Sequence, residues 1–473
     1  MKYLKHPWIF LILAFAITLA VKIPHLGLPY FFDETSSYFP AIQEMAKAGP
    51  NMLPGTIPLS FSKGHPLFFY FLASLWMKFI ASDSLILMRL FPLIVSLIAL
   101  YVFHRFAKRN INLLLANIAV LLLSLQPLFL AQSSLVLPEI LLFTLFMLSF
   151  DSYLSHSFGL YALYGTLLML TKESGVVFIV VFGCAFLVEN YHTWNTKIFW
   201  RNLFLLSAPA LIYLIFLILH YLEFGVFFFA EHLNYITIDS SKILYKFNSA
   251  TSTLFLAHGR NVIFFISLVV LIILLFRKRS IDYKRFLFIS LAIIISYLIF
   301  TILNFFTYRY VFPVMGIVLL ASLVLIQQLK INYQAVNIAS IACILSISAY
   351  YSATKRGQGD ADLGYTQFLE VHQQIVRYCE QQDWYDKEIA AGFNLQMDMN
   401  DQYAHYLSQG KTFRVQHLPA TENRDLIIYD STCFSYEMPE NEKNKLTLVK
   451  HFVYKKHWGD IYSTSTKEIT QLN

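Results

Sequence analysis

FFDETSSYF, residues 31–39, places two acids side by side a few positions after the first long apolar run of the chain. An acid pair there is either the capped start of a helix or part of a site. Which reading holds depends on whether the run before it, about Trp8–Pro24, spans a membrane. The rest of the chain says that it does. Hydrophobic residues make up 57% of the 473 and charged residues 14%, against the roughly one-quarter charged composition of a soluble domain. Apolar runs of about 18 to 20 residues, the length of a bilayer-spanning helix, recur between short polar breaks, without the alternation that barrel strands show. The expected fold class is an all-α polytopic membrane bundle.

A formal net charge of +7 would suggest nucleic acid for a soluble protein. Here the Lys and Arg clusters lie in short loops and read as topology signals, so no nucleic-acid partner is expected. Lys2 and Lys5 precede the first run, and no small-residue cleavage site precedes VKIPHLG, which favours an uncleaved first span. Ten further spans are expected: Ser84–His104, Leu113–Ala131, Pro138–Leu154, Phe158–Leu170, Gly175–Glu189, Leu203–Tyr221, Val262–Phe276, Phe286–Leu303, Val311–Leu329 and Ala335–Tyr351. Arg105, Lys108, Arg109, Lys197, Arg201, Arg277–Arg279, Lys284, Arg285 and Lys330 fall on one side, which puts the N-terminus inside and the C-terminus outside a cytoplasmic (inner) membrane.

Residues 1–352 then form the transmembrane part, with 25–83 as the first external loop. That loop carries an amphipathic helix around residues 38–46 and a short interfacial stretch, Pro66–Ile80. Residues 353–473 change in composition and read as a small extracytoplasmic α/β domain. Its expected helices are 367–381 and 401–408, and its expected strands 388–393, 413–417, 425–429 and 446–454. Cys379 and Cys433 lie in that domain, and a bridge between them stays open.

Polar residues set into apolar sequence on the outer side are the candidate site. They are Asp33 and Glu34; Lys63 and His65 in SFSKGHPLFFY; Glu139 in SSLVLPEILLF; Lys172 and Glu173 in LTKESGVVF; and Arg309 and Tyr310 in NFFTYRYVFP. Each has a plain structural alternative: an N-cap, a snorkelling lysine, a first-turn acid, a neutralised turn, an interfacial aromatic belt. Their convergence on one face favours function, because ionisable groups at a bilayer are costly. Glu231–His232 is a weaker candidate. No pair of His or Cys residues has metal-ligand spacing and no phosphate-cradling glycine motif occurs; no cofactor is required by the sequence, which leaves a divalent metal open.

The acid pair after span one, KGHPLFFYFLASLW, RLFPLIVSLIALYVF, VLPEILLF, LTKESGVVF and RYVFPV follow one another in an order that resembles the membrane glycosyltransferases of the GT-C fold. Within these the resemblance is to the protein O-mannosyltransferases and the bacterial lipid A aminoarabinose transferase, over about Phe10–Tyr351. It implies inverting transfer of a sugar from a polyprenyl-phosphate carrier to an extracytoplasmic acceptor, a glycan, lipid or protein hydroxyl. Asp33 matches the catalytic acid of the first external loop, Glu34 its neighbour, Lys63-Gly64-His65-Pro66 the turn facing the carrier phosphate, and Glu139 the second acidic position. Lys172 and Arg309 are assigned from sidedness. The alternatives are a transporter or flippase of polyprenyl-linked or anionic substrates, disfavoured by charges gathered at one face rather than at the midplane, and a membrane scaffold whose tail binds partners.

Overall fold

The structure, a computed structural model, describes residues 6, 8–236, 238–329, 334–357, 359–419, 424–432, 438 and 445–464. Among the described residues, five helices are long and apolar enough to cross a membrane: Leu85–Asn110, Gly175–Thr193, Lys197–Phe224, Lys284–Leu303 and Tyr308–Gln327. Ser240–Leu256 and Arg260–Phe276, joined at a bend of 86°, make a sixth if counted as one span. The chain is a multi-pass membrane protein. The expectation of eleven full-length spans meets shorter apolar helices at Ile9–His25, Leu113–Ser124, Phe158–Thr171 and Ala339–Thr354, while the stretch expected to be short and interfacial forms the short helical segment Phe68–Ala81.

The run 113–131 shows why. Pro127 cannot donate a backbone hydrogen bond and forces the residue before it out of the helical region. Gln126 is extended (ψ 127°), and the run splits into Leu113–Ser124 and Pro127–Gln132. At the 86° bend, Arg260 turns inward, 1% exposed, and its Nε donates to the carbonyl of Leu254 at 3.1 Å. It also donates to the Thr253 carbonyl and the Gln126 side chain. These bonds satisfy carbonyls orphaned at the end of the preceding helix. The stretch between Tyr221 and Val262, expected to be a loop, thus holds a helix at Ala230–Asn234 and another at Ser240–Thr251.

Tyr308–Gln327 is the central helix, with 72% of its apolar window buried, whereas Lys197–Phe224 is peripheral, with 22% buried. Its Trp200, Phe204, Ile215 and Leu222 are exposed, an apolar outer face that suits a lipid surrounding. Ion pairs tie helix ends together: Arg109 to Asp151 at 3.0 Å and Arg285 to Glu189 at 2.7 Å.

After the helix Gln334–Thr354 the chain forms a five-stranded sheet of order β2-β1-β3-β5-β4: β1 Glu388–Ala391, β2 Arg414–His417, β3 Leu426–Asp430, β4 Thr447–Tyr454 and β5 His457–Ser463. β1 pairs in parallel with β2 and β3, and β5 antiparallel with β3 and β4. The helix Tyr365–Gln381 lies where expected and covers one face. β5 escaped the sequence reading because Gly459 interrupts its pattern. That glycine lets the covering helix approach, since a Cβ there would come within 2.5 Å of Ile375. A helix forms at Phe393–Asn400 instead of 401–408, because Asp401 caps a single turn and His405 stops it in the left-handed region at φ 60°. Cys379 is buried, and any partnership with Cys433 lies outside the described residues.

This domain sits on the first loop. Phe31 stacks on Tyr365 at 5.8 Å and meets Phe368 at 5.1 Å, and the Tyr30 N–H donates to the Ala404 carbonyl at 3.1 Å. One continuous apolar core runs from the bundle through these contacts to the covered face of the sheet.

Candidate active site

The acid pair divides. Phe32 is left-handed at φ 47°, an uncommon conformation for a bulky residue. The chain then enters a wide turn, Glu34–Tyr38, in which the Phe39 N–H reaches back five residues to the Glu34 carbonyl. Pro40, which has no N–H to give, follows in the helix Phe39–Ala48 and favours this loosened register. The outcome is that Asp33 and Glu34 point in different directions.

Asp33 lines a cavity of about 590 Å³. Glu34 does not line it; it is fully buried behind the loop. The two Glu34 carboxylate oxygens accept from Arg89 at 3.2 and 3.1 Å, from the Phe31 N–H at 2.9 Å and from the Val136 N–H at 2.7 Å. Arg89 gives its other donors to the carbonyls of Leu28, Pro29 and Ser134 at 3.1, 2.6 and 3.0 Å. This fully satisfied pair clamps the first loop to the helix Leu85–Asn110 and to the segment leading to Glu139. Sequence reading missed Arg89; the available signal was a lone cation in the first turns of an apolar run.

Arg309, 2% exposed, lies behind the cavity wall and gathers three carboxylates. Its Nη2 donates to Asp33, its Nη1 to Asp360, and its Nε to Glu139 Oε1 at 3.2 Å. Lys172 donates to the same Glu139 oxygen at 2.9 Å and lies 4.0 Å from the centre of the Tyr310 ring, an arrangement that also favours the cation through the ring face. The other Glu139 oxygen, Oε2, is buried without a partner among the described residues. Glu139, Lys172 and Tyr310 line the cavity. Asp360, from the segment after the last bundle helix, was not foreseen.

The third group comes from the turn after the short helix Leu59–Ser62. Lys63 takes the left-handed conformation at φ 48° and ends that helix, and Gly64 follows at φ 73°. A side chain at Gly64 would meet Phe229 at 3.3 Å, so the glycine lets residues 228–236 pack against the turn and line the cavity. Lys63 lines the cavity and forms no ion pair among the described residues. His65 Nδ1 lies 2.9 Å from Glu173 Oε2, and the His65 ring is 4.8 Å from that of His232. Burial opposes ionisation of Glu173, but the adjacent His65 and Lys172 outweigh it and hold the carboxyl well below its usual range. Burial, with His65 and Lys63 nearby, pushes His232 down to about 4, leaving a neutral imidazole.

His65, Glu173 and His232 each offer one ligand atom within 4.8 Å of the others, close enough to hold a divalent cation. Their distance in sequence, residues 65, 173 and 232, is why no spacing rule revealed them.

No family model matches the chain, and no curated protein sequence does. Among solved structures it is similar to ArnT from Cupriavidus metallidurans bound to undecaprenyl phosphate, with a TM-score of 0.54 at 13% identity over 98% of this chain and 99% of that one. The same protein in its apo state matches with a TM-score of 0.51 at 12% identity, over 96% and 97% of the two chains. The chain therefore has the GT-C fold that its motif order resembles.

Proposed function

We propose that this protein is an inverting membrane glycosyltransferase that moves a sugar from a polyprenyl-phosphate carrier to a hydroxyl outside the cytoplasmic membrane. The observation that carries this reading is the cavity in an apolar bundle, with a fixed carboxylate, Asp33, and a cation without an ion-pair partner among the described residues, Lys63, on its wall. Transfer with inversion requires both. Asp33 is the base: it takes the proton of the acceptor hydroxyl as that oxygen attacks C1 of the sugar. The bond from C1 to the phosphate oxygen breaks on the opposite face, and the polyprenyl phosphate leaves as an anion. Lys63 and Lys172 face the charge that grows there. The free Glu139 Oε2 is suited to accept from a substrate hydroxyl. Glu34 acts from behind, through the loop that carries Asp33.

The fold shared with ArnT, whose structure was solved with undecaprenyl phosphate, agrees with this assignment of the carrier. In it the N-terminus is cytoplasmic, residues 1–352 hold the transferase, and residues 353–473 are extracytoplasmic. Comparing envelope glycans and lipid-linked sugars with and without the protein would identify the accumulating donor. With that donor, Asp33→Asn is expected to lower transfer by about 100-fold or more while expression and membrane insertion remain normal. Full activity in that variant sinks the assignment.

A further inference from the structure

We propose that His65, Glu173 and His232 bind a divalent transition metal of the zinc class, whose remaining coordination position opens into the cavity and takes a phosphate oxygen of the lipid carrier. The choice of ligand for that position rests on the reading of a polyprenyl-phosphate carrier. The three residues come from separate elements: His65 from the turn after Leu59–Ser62, Glu173 from the turn between Phe158–Thr171 and Gly175–Asn190, and His232 from Ala230–Asn234. All three line the cavity, and one ligand atom of each lies within 4.8 Å of the others. The two imidazoles are held by their neighbours. The His65 N–H donates to the Ser62 carbonyl at 2.9 Å, and its ring lies 9° from parallel to that of Tyr38 at 6.4 Å. The His232 N–H donates to the Phe229 carbonyl at 3.0 Å, and its ring meets the Phe229 ring edge-on at 5.6 Å.

His65 Nδ1 and Glu173 Oε2 are 2.9 Å apart. A nitrogen and an oxygen come that close either with a proton between them or as neighbouring ligands of one cation. His232 favours the cation. A hydrogen-bonded His–Glu pair needs no second imidazole, yet the His232 ring stands 4.8 Å from that of His65. Two imidazoles and one carboxylate are the donor set of a zinc site that keeps a position open for substrate. Magnesium and calcium, which take oxygen ligands, suit this set poorly. A single carboxylate leaves a bound divalent ion with net positive charge. Lys63, on the same wall and without an ion-pair partner among the described residues, adds to it. Together they would meet the negative charge that grows on the departing phosphate. Asp33 stays outside the set, because Arg309 holds it. His232 belongs to residues 228–236, so the ion also ties that segment to the bundle.

The test uses the full-length protein in detergent, treated with a chelator and titrated with Co2+, whose visible absorption reports its coordination. One equivalent is expected to bind with the intense bands of a four-coordinate ion, and Zn2+ to displace it. His232→Ala and Glu173→Gln are each expected to weaken binding by more than about 100-fold, the upper end for changes at outer-shell partners. Both should keep the thermal midpoint of the chelated native protein, while losing the rise that Zn2+ gives the native chain. His451→Ala, in the sheet, should change neither property. Absence of binding overturns the site, as does binding that survives both substitutions. Adding a short-chain polyprenyl phosphate to the cobalt-loaded protein is expected to shift the bands; unmoved bands overturn the position facing the carrier. Neither spectrum depends on turnover. Bound cobalt with shifted bands in a protein that transfers no sugar would support the site and defeat the transferase reading. Transfer undiminished by chelation would support the transferase and overturn the part given to the metal.

Discussion

Glu34 and Asp33 are adjacent in sequence and opposite in consequence. Both oxygens of Glu34 are consumed by Arg89 and two backbone N–H groups, with no exposure to the cavity. Removing one partner of a buried pair leaves the other charge uncompensated, so Glu34→Gln should cost about 3 to 5 kcal/mol, read as a lowered thermal midpoint in detergent. Asp33 is different: its side chain is 24% exposed, and Arg309 keeps Glu139 and Asp360 when it is neutralised. Asp33→Asn should cost under about 1 kcal/mol of stability while removing activity. If Glu34→Gln were as stable as the native protein yet inactive, the clamp would be the wrong account and Glu34 would belong to the chemistry. At this scale the sequence exposed every acid and base that lines the cavity, because charges stand out against apolar neighbours. It could not separate Asp33 from Glu34, since their divergence depends on Phe32 at φ 47° and on Arg89, 55 residues later.

Helices in the bundle were legible by hydropathy, though several are shorter than the apolar runs that marked them, and the covering helix Tyr365–Gln381 by its period. What could not be read were elements whose reason for existing is a distant contact: β5, whose Gly459 lies beneath Ile375, and the bent pair held by Arg260. The α/β domain holds another such contact. His372 on the covering helix is fully buried, with Nδ1 2.6 Å from Asp398 on the helix Phe393–Asn400 and Nε2 3.6 Å from Asp430 at the end of β3. Burial alone would lower its pKa, but the two carboxylates outweigh that and raise it to about 9. A group with a raised folded pKa contributes its full stability below its unfolded value, about 6.5, and loses it as pH rises through the folded value. Unfolding of this domain should therefore become easier from about pH 6.5 upward, with most of the change complete above pH 9. His372→Gln should flatten that dependence. Denaturation monitored across pH 6 to 10 checks it, and an equal slope in the variant would place the titrating group elsewhere.

Across the whole molecule, the C-terminal domain and the bundle share the loop that bears Asp33. Lys22 at the end of the first helix donates to the Tyr365 hydroxyl at 2.7 Å, Phe31 packs on Tyr365 and Phe368, and Phe32 meets Phe393 at 5.9 Å. Gln132, a few residues before Glu139, reaches the Asp360 carbonyl. Every one of these contacts joins residues more than 200 positions apart, so the sequence offered the tail only as a separate domain. Such interleaving makes local opening of one part an event in the other. Phe368 is the contact to break, because it is fully buried and touches both Phe31 and His457 on β5. Phe368→Ala should cost about 3 to 5 kcal/mol by leaving a cavity. Amide exchange should then accelerate in the sheet and, in parallel, in residues 30–36, while the helix Leu113–Ser124 keeps its protection. Acceleration confined to the sheet would mean that the domain merely rests on the bundle. Joint acceleration would mean that the geometry of Asp33 depends on the folding of a domain that brings Asp360 and Phe393 to the site.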